Sequence, residues 1–310
     1  MKKVIILILF STIAFAQSHY PIDTTYTEKS VFNKVKKEYP EISLVQPRKH
    51  ENVNQKKEIV YKKIKNRKLH LDAYYNKTNK LNPAVVIIHG GGWKSGNKSQ
   101  METFTIEMAS KGYSCFNIEF RLSQEAQYPA AIFDVKKAIQ FIKQNAQKYN
   151  VDTTKIAVLG CSSGGQMAAL IGTTNGNPNF EDNNNNVKIS SKVNAIIDID
   201  GILAFKHPES KEGTVASLWL GGNYEEKPMI WEEASPLNHT NSNTPPTLFI
   251  NSSIPRFHAG RDDMIAILNQ NGIYNEVQTI KNSPHSFWFL NPWFDDTILY
   301  TTQFLDKLFK

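Results

Sequence analysis

Three short stretches of this 310-residue chain carry residue types at spacings that can do chemistry. The first is Gly160-Cys161-Ser162-Ser163-Gly164-Gly165, set between the apolar run 156–159 and the helical run 166–172. A strand, a tight turn flanked by small residues and a helix form the setting that lifts a serine clear of the backbone as a nucleophile. The Ser162 hydroxyl would then sit at a helix N-terminus, where backbone N–H groups favour negative charge. The second stretch is His89-Gly90-Gly91-Gly92-Trp93, directly after the apolar run 84–88. Glycines there let the backbone approach a ligand closely. The N–H groups of Gly91 and Gly92, with that of Ser163, would make an oxyanion hole. A glycine loop after a strand can also bind phosphate, but neither G-x-G-x-x-G nor G-K-[ST] occurs, so no nucleotide site is expected. The third stretch is Ser283-Pro284-His285-Ser286-Phe287, in the loop after the last expected strand. His285 lies far downstream of Ser162, the chain order this arrangement requires of its base. His258 is the rival base. The other histidines lie too early, in the glycine loop or in an insertion. Nucleophile, imidazole and oxyanion donors together are the parts that nucleophilic catalysis needs, and no metal or organic cofactor is expected.

Such a set needs a carboxylate to orient the imidazole. Asp200 ends the run 195–201, and Asp198 has the same parity but lies further inside. Asp262 and Asp263 open the following helix and could reach back toward His285. Each also has a plain reading: Asp262 and Asp263 favour the first turn of their helix, and Asp200 could bond backbone N–H groups in a turn. The sequence leaves the choice open, with Asp200 and Asp262 foremost.

The elements that must position these residues alternate. Two strands over 58–75 join near Asn66-Arg67, followed by a strand at 84–89, a helix at 101–111 stopped by Gly112 and a strand at 114–120. A helix over 129–148 carries Ile132, Val135, Ile139 and Ile142 at helical spacing. A strand at 155–159 and a helix at 163–173 flank the serine turn. Strands follow at 193–199, 246–250 and 274–280, with helices at 260–271 and 295–309. Residues 175–186 read as an Asn-rich surface loop. Strands alternating with helices predict an α/β fold, a mostly parallel central sheet with helices on both faces. The interval 201–245 has no clear strand and reads as a short lid-like insertion.

Hydrophobic residues are 40% and charged residues 21%, which excludes a mostly disordered chain and a multi-span membrane protein. Lys2 and Lys3, the apolar run 4–15 and Ala14-Phe15-Ala16 form a signal-peptide pattern over 1–16, with Gln17 as the mature start and secretion or periplasmic export as the consequence. The apolar run is too short for stable membrane insertion. Residues 17–57 read as a polar leader with few regular elements, and 58–310 as the catalytic domain. The net charge of +7 includes Lys2 and Lys3. The excess suits an anionic partner without requiring one, and nothing points to nucleic acid. Cys115 and Cys161 fall in expected buried strands and read as unpaired apolar thiols. Oligomeric state is not legible.

From about residue 58 onward the chain resembles α/β-hydrolase esterases of the hormone-sensitive-lipase and bifunctional feruloyl/acetyl-xylan esterase type. The resemblance rests on the His89–Trp93 loop, Phe120-Arg121-Leu122-Ser123, Tyr128-Pro129-Ala130-Ala131 with Asp134-Val135, the Ser162 turn, Ala234-Ser235-Pro236 and Pro245-Pro246-Thr247-Leu248. It implies the α/β-hydrolase fold and hydrolysis of acetyl, feruloyl or methyl esters on plant polysaccharide. Two departures stand out. Cys161 occupies a position where Asp is frequent, and the strand 247–251 ends in Asn251 where most relatives continue to an acid. Arg256 and Arg261 lie near the expected mouth and suit bidentate carboxylate binding, pointing to a uronic-acid polymer such as pectin. The alternative is that they pair internally with aspartates. Trp93, His258 and Trp288 are further candidate pocket residues, and Trp219 and Trp231 could stack on sugar or ring. A serine peptidase and a non-catalytic binding protein of the same fold are the rival readings.

Overall fold

A computed structural model describes residues 23–78, 80–181 and 189–310. The signal-peptide pattern over 1–16 lies outside the described residues, as does part of the Asn-rich stretch. In chain order the elements are helix α1 (Glu28–Val35), strands β1 (Ser43–Leu44), β2 (Val53–Ile64), β3 (Arg67–Asn76) and β4 (Asn82–Ile88), and helix α2 (Glu102–Ser110). Then come β5 (Ser114–Ile118), α3 (Ala130–Gln144), β6 (Val151–Cys161), α4 (Ser163–Thr173), β7 (Ala195–Ile199), α5 (Thr214–Leu220) and α6 (Pro228–Glu233). The chain ends with β8 (Thr247–Asn251), α7 (Arg261–Gln270), β9 (Asn275–Thr279), β10 (Leu290–Asn291) and α8 (Phe294–Phe309).

Eight strands form one sheet in the order β2-β3-β5-β4-β6-β7-β8-β9. β5, β4, β6, β7, β8 and β9 run parallel, and β3 is antiparallel to both its neighbours. The mostly parallel α/β sheet expected from the alternating pattern is therefore present, in the α/β-hydrolase form that the resemblance implies. β5, β7 and β8 are buried at every residue because both faces are covered. In β4, Val86 and Ile88 pack into the cluster under α3 and α4, while Val85 and Ile87 pack with α2 and α8. No described helix is long and apolar enough to cross a membrane.

Both cysteines are free and buried. Cys115 lies in β5 and Cys161 at the end of β6, with β4 between them. Two strand spacings are about 9–10 Å, too far for a disulfide.

The leader departs from its expected irregularity. α1 forms behind a reciprocal cap in which Thr27 Oγ1 accepts from the Ser30 N–H and Ser30 Oγ accepts from the Thr27 N–H. β1 pairs with β10, and β2 starts at Val53. None of α1 is fully buried; Val31, Phe32 and Val35 are half-buried, and the helix is only eight residues long.

The Arg121 and Asp134 motifs meet in the core. The Asp134 carboxylate, with no solvent exposure, accepts from Arg121 Nε (2.7 Å) and Nη2 (2.8 Å) and from Lys62 Nζ (2.9 Å). This ties β2 and the loop after β5 to the first turns of α3. Removing one partner of a buried ion pair strands the others without compensation. Asp134→Ala is expected to lower the unfolding free energy by about 3–5 kcal/mol, read as a lower urea midpoint at unchanged slope.

Candidate active site

Ser162 stands between β6 and α4 at φ 55°, ψ −124°, a conformation that non-glycine residues rarely adopt. The turn closes because its neighbours lack side chains. A Cβ at Gly160 would lie 1.9 Å from the Gly164 carbonyl oxygen, and one at Gly164 would lie 2.4 Å from that of Ile88. The Ser162 N–H donates to the Ile199 carbonyl (2.8 Å), pinning the turn to β7.

His285 Nε2 lies 2.9 Å from Ser162 Oγ, and His285 Nδ1 lies 2.8 Å from Asp200 Oδ2. Asp200 has no solvent exposure, and its Oδ1 accepts the Ser252 N–H at 2.7 Å. It too has a positive φ, 53°, just past the end of β7. With an anionic acceptor at Nδ1, the imidazole carries its proton there and presents an unprotonated Nε2 to the serine.

The other acid candidates are placed elsewhere. Asp262, proposed from sequence as an alternative acid, is four-fifths exposed and bonds Arg261 at 2.8 Å. It sits in the first turn of α7, where a carboxylate stabilises the helix end. Asp263 pairs with His207 at 3.1 Å. Asp198 is fully buried. Its Oδ1 accepts the Gly201 N–H and its Oδ2 has no partner among the described residues. Burial and the neighbouring Asp200 push its carboxyl well above the usual range. Asn251, the last residue of β8, accepts from Arg261 Nη1 at 3.0 Å.

The glycine loop abuts the serine turn. A Cβ at Gly90 would lie 3.2 Å from Ser162 Cβ. Among the described residues no acceptor takes the N–H of Gly91, Gly92 or Ser163. His89 points away, donating from Nδ1 to the Gly90 carbonyl (2.7 Å) and stacking on Phe120. Burial lowers its pKa to about 4.

The pocket candidates divide. Trp93 is buried, stacks on Trp219 (centroids 5.1 Å apart) and donates from Nε1 to Gln166 (2.9 Å), so it supports the loop and does not line an open pocket. Trp219 and Trp231 are likewise buried packing residues, not sugar platforms. Trp288 is also buried, with its ring edge-on to His285 at 5.2 Å. Arg261 is engaged by Asp262 and Asn251 and is not offered to substrate. His258 is not at Ser162; it is half-buried beside Arg261, and its Nε2 has no partner among the described residues. Arg256 makes no ion pair among the described residues. Its guanidinium lies over the Phe257 ring at 4.2 Å.

No sequence motif marks Phe257, which lies between Arg256 and His258. Its ring stacks on His285 with centroids 3.5 Å apart and planes 9° apart. The Arg256 guanidinium and the His285 ring thus both lie against Phe257. Glu212, from the insertion, was also missed. Burial raises its carboxyl, and the charges of Arg256 and His285 oppose that rise.

The BD-FAE family model matches residues 71–267, close to two thirds of the chain, and the chain belongs to that family. The matched span holds the glycine loop, Ser162 and Asp200, and ends before His285. Fold and family together place this chain in the BD-FAE family, on the α/β-hydrolase fold. Esterase LipC of Mycobacterium tuberculosis is 27% identical over 221 residues, covering 69% of this chain and 53% of LipC. The chain spans about half the length of the curated relatives it matches first. A truncated carbohydrate esterase from gut microbiota superposes with a TM-score of 0.71 at 24% identity, covering 83% of this chain and 98% of that one. A bifunctional GH43-CE protein of Bacteroides eggerthii superposes with a TM-score of 0.70 at 25% identity, covering 83% of this chain and 38% of that one.

Two measurements test the geometry. Asp200→Asn is expected to lower kcat on a short nitrophenyl ester by about 10²–10⁴-fold, with Asp262→Asn within twofold of wild type. A reversed order would move the acid to α7. The second concerns acid stability. The folded-state pKa of His89, about 4, lies below its ordinary 6.5. The unfolded chain therefore takes this proton more readily, so the contribution is full above pH 6.5 and is lost as pH falls toward 4. His89→Gln is expected to flatten the pH dependence of urea unfolding in that window by about 2–3 kcal/mol.

Proposed function

We propose that this protein is a serine carboxylic-ester hydrolase acting on carbohydrate esters. The carrying observation is the unbroken hydrogen-bond chain Ser162–His285–Asp200 beside a glycine loop with uncommitted N–H groups. His285 Nε2 takes the Ser162 proton as Oγ attacks the ester carbonyl. The oxyanion is held by N–H groups at Gly91, Gly92 and Ser163. His285 then returns the proton to the leaving alcohol, leaving an acyl-serine. Water, deprotonated by the same imidazole, attacks the acyl-serine, and its proton passes through Nε2 back to Ser162 as the acid departs. Asp200 orients the ring and stabilises its cationic form. Every step is carried by these side chains and backbone groups.

The carbohydrate assignment is supported by the BD-FAE membership and by the carbohydrate-esterase structures that share the fold. We take acetyl groups on plant polysaccharide as the substrate, with methyl and feruloyl esters as the related alternatives. Arg256, with no ion pair among the described residues, is the arginine left for a uronate carboxylate; Arg261 is not. The pattern over residues 1–16 supports action outside the cytoplasm.

The test is acid release from acetylated pectin and acetylated xylan by wild type and Ser162→Ala. Acetate from either polymer is expected to fall by at least about 10³-fold in the variant. Equal release by both proteins would remove Ser162 as nucleophile. Release from xylan alone would keep the mechanism and discard the uronate reading.

A further inference from the structure

The first described residues of the leader are docked on the glycine loop. Ser95 is fully buried, and its hydroxyl is occupied on both sides by the leader. It donates to the Asp23 carbonyl (2.8 Å) and accepts from the Tyr26 N–H (3.1 Å). Gln100 Nε2 donates to the Tyr26 carbonyl at 2.9 Å. Lys94 Nζ pairs with Asp23 Oδ2 at 3.0 Å. Burial works against that carboxylate, but hydrogen bonds from Thr25 and Lys94 outweigh it and hold its pKa at about 2. The Tyr26 ring closes the contact, 3.5 Å from where a Cβ would stand on Gly92.

The loop has a physical need for such support. Gly91, Gly92, Trp93 and Gly96 all have positive φ, at 129°, 59°, 57° and 91°. A backbone so rich in glycine has other conformations close in energy, and oxyanion donors act only when already aligned. The inner side of the loop is held by the core, through Trp93 stacked on Trp219 and bonded to Gln166, and through the Ser123 N–H to the Trp93 carbonyl (2.9 Å). The outer side is held by the leader. Ser95 also donates its backbone N–H to the Gly91 carbonyl (3.0 Å), so the residue gripped by the leader is the one that closes the Gly91 turn.

We propose that residues 23–26 are a positioning strap for the active site, gripping Ser95 so that the Gly91 and Gly92 N–H groups stand where the oxyanion forms. The proposal rests on the oxyanion role given to that loop above. The leader is then part of the catalytic apparatus and not a spacer.

Two variants test it: Ser95→Ala, and a chain lacking residues 23–26. Each is assayed for kcat and KM on a short nitrophenyl ester. Each is also assayed for the inhibition constant of an arylboronic acid, which adds to the serine and places an oxygen in the oxyanion site. Both are expected to lose tenfold or more in kcat and in boronate affinity, with KM within twofold, because an ångström-scale misplacement of aligned groups costs up to about 10²-fold. If the shortened chain does not fold, Ser95→Ala alone decides. Wild-type kcat overturns the proposal. A fall in kcat at unchanged boronate affinity also overturns it, making the strap a stability element. Ser162→Ala is run on the same ester. Turnover retained there removes the esterase mechanism and the strap together, whereas failure of the strap variants alone leaves the mechanism standing.

Discussion

The arrangement turns on one buried carboxylate. Asp200 has no contact with solvent, yet it must hold the His285 tautomer and ring. Its two oxygens are both engaged, one by the Ser252 N–H and one by His285 Nδ1. A buried carboxylate is tolerated on these terms, because hydrogen bonds to the charged form offset the loss of water. The contrast with Asp198, two residues earlier, is instructive. It has one backbone donor, no second partner among the described residues and Asp200 as a neighbour, and its carboxyl is pushed well above the usual range. Two carboxylates two residues apart at the end of β7 thus differ in what each can bond.

Backbone strain gathers at the same place. Ser162 and Asp200 are both non-glycine residues at positive φ, directly past the ends of adjacent parallel strands. Such conformations cost about 1–3 kcal/mol each and persist where surrounding structure over-determines them. Here the surroundings are rigid. The Ser162 N–H is tied to β7 and the Asp200 N–H to β8. The central strands bury both faces in apolar layers, and that burial offsets strain at their C-terminal ends.

Around this core the insertion and the chain's outer segments supply the aromatic and polar supports. Phe257 stacks on one face of His285 while Trp288 meets it edge-on, limiting the ring to the rotation its hydrogen bonds need. α5 brings Trp219 under Trp93 and Val215 against Gly92. The lid-like reading of 201–245 is thereby sharpened: part of the insertion is the floor of the glycine loop.

Local pattern carried much of this. The alternation of strands and helices, the glycine spacing around Ser162, the glycine loop and the position of His285 were legible because they rest on short-range rules of turn closure, periodicity and strand burial. The carboxylate was not. Asp200, Asp198, Asp262 and Asp263 are alike as residues, and only the packing of β7 beside β8, with Arg261 drawn away to Asp262 and Asn251, decides which one meets the imidazole. The same holds for the tryptophans and arginines, whose chemistry suits a pocket or a core equally until neighbours are known. Phe257 and the leader lay outside any motif, since a stack or a strap is made by residues distant in the chain. The sequence by itself determined the elements and the Ser162 turn, through interactions within a few residues. The tertiary structure alone decided the acid, the supports and the leader's place, because those depend on burial and partners that chain order does not encode.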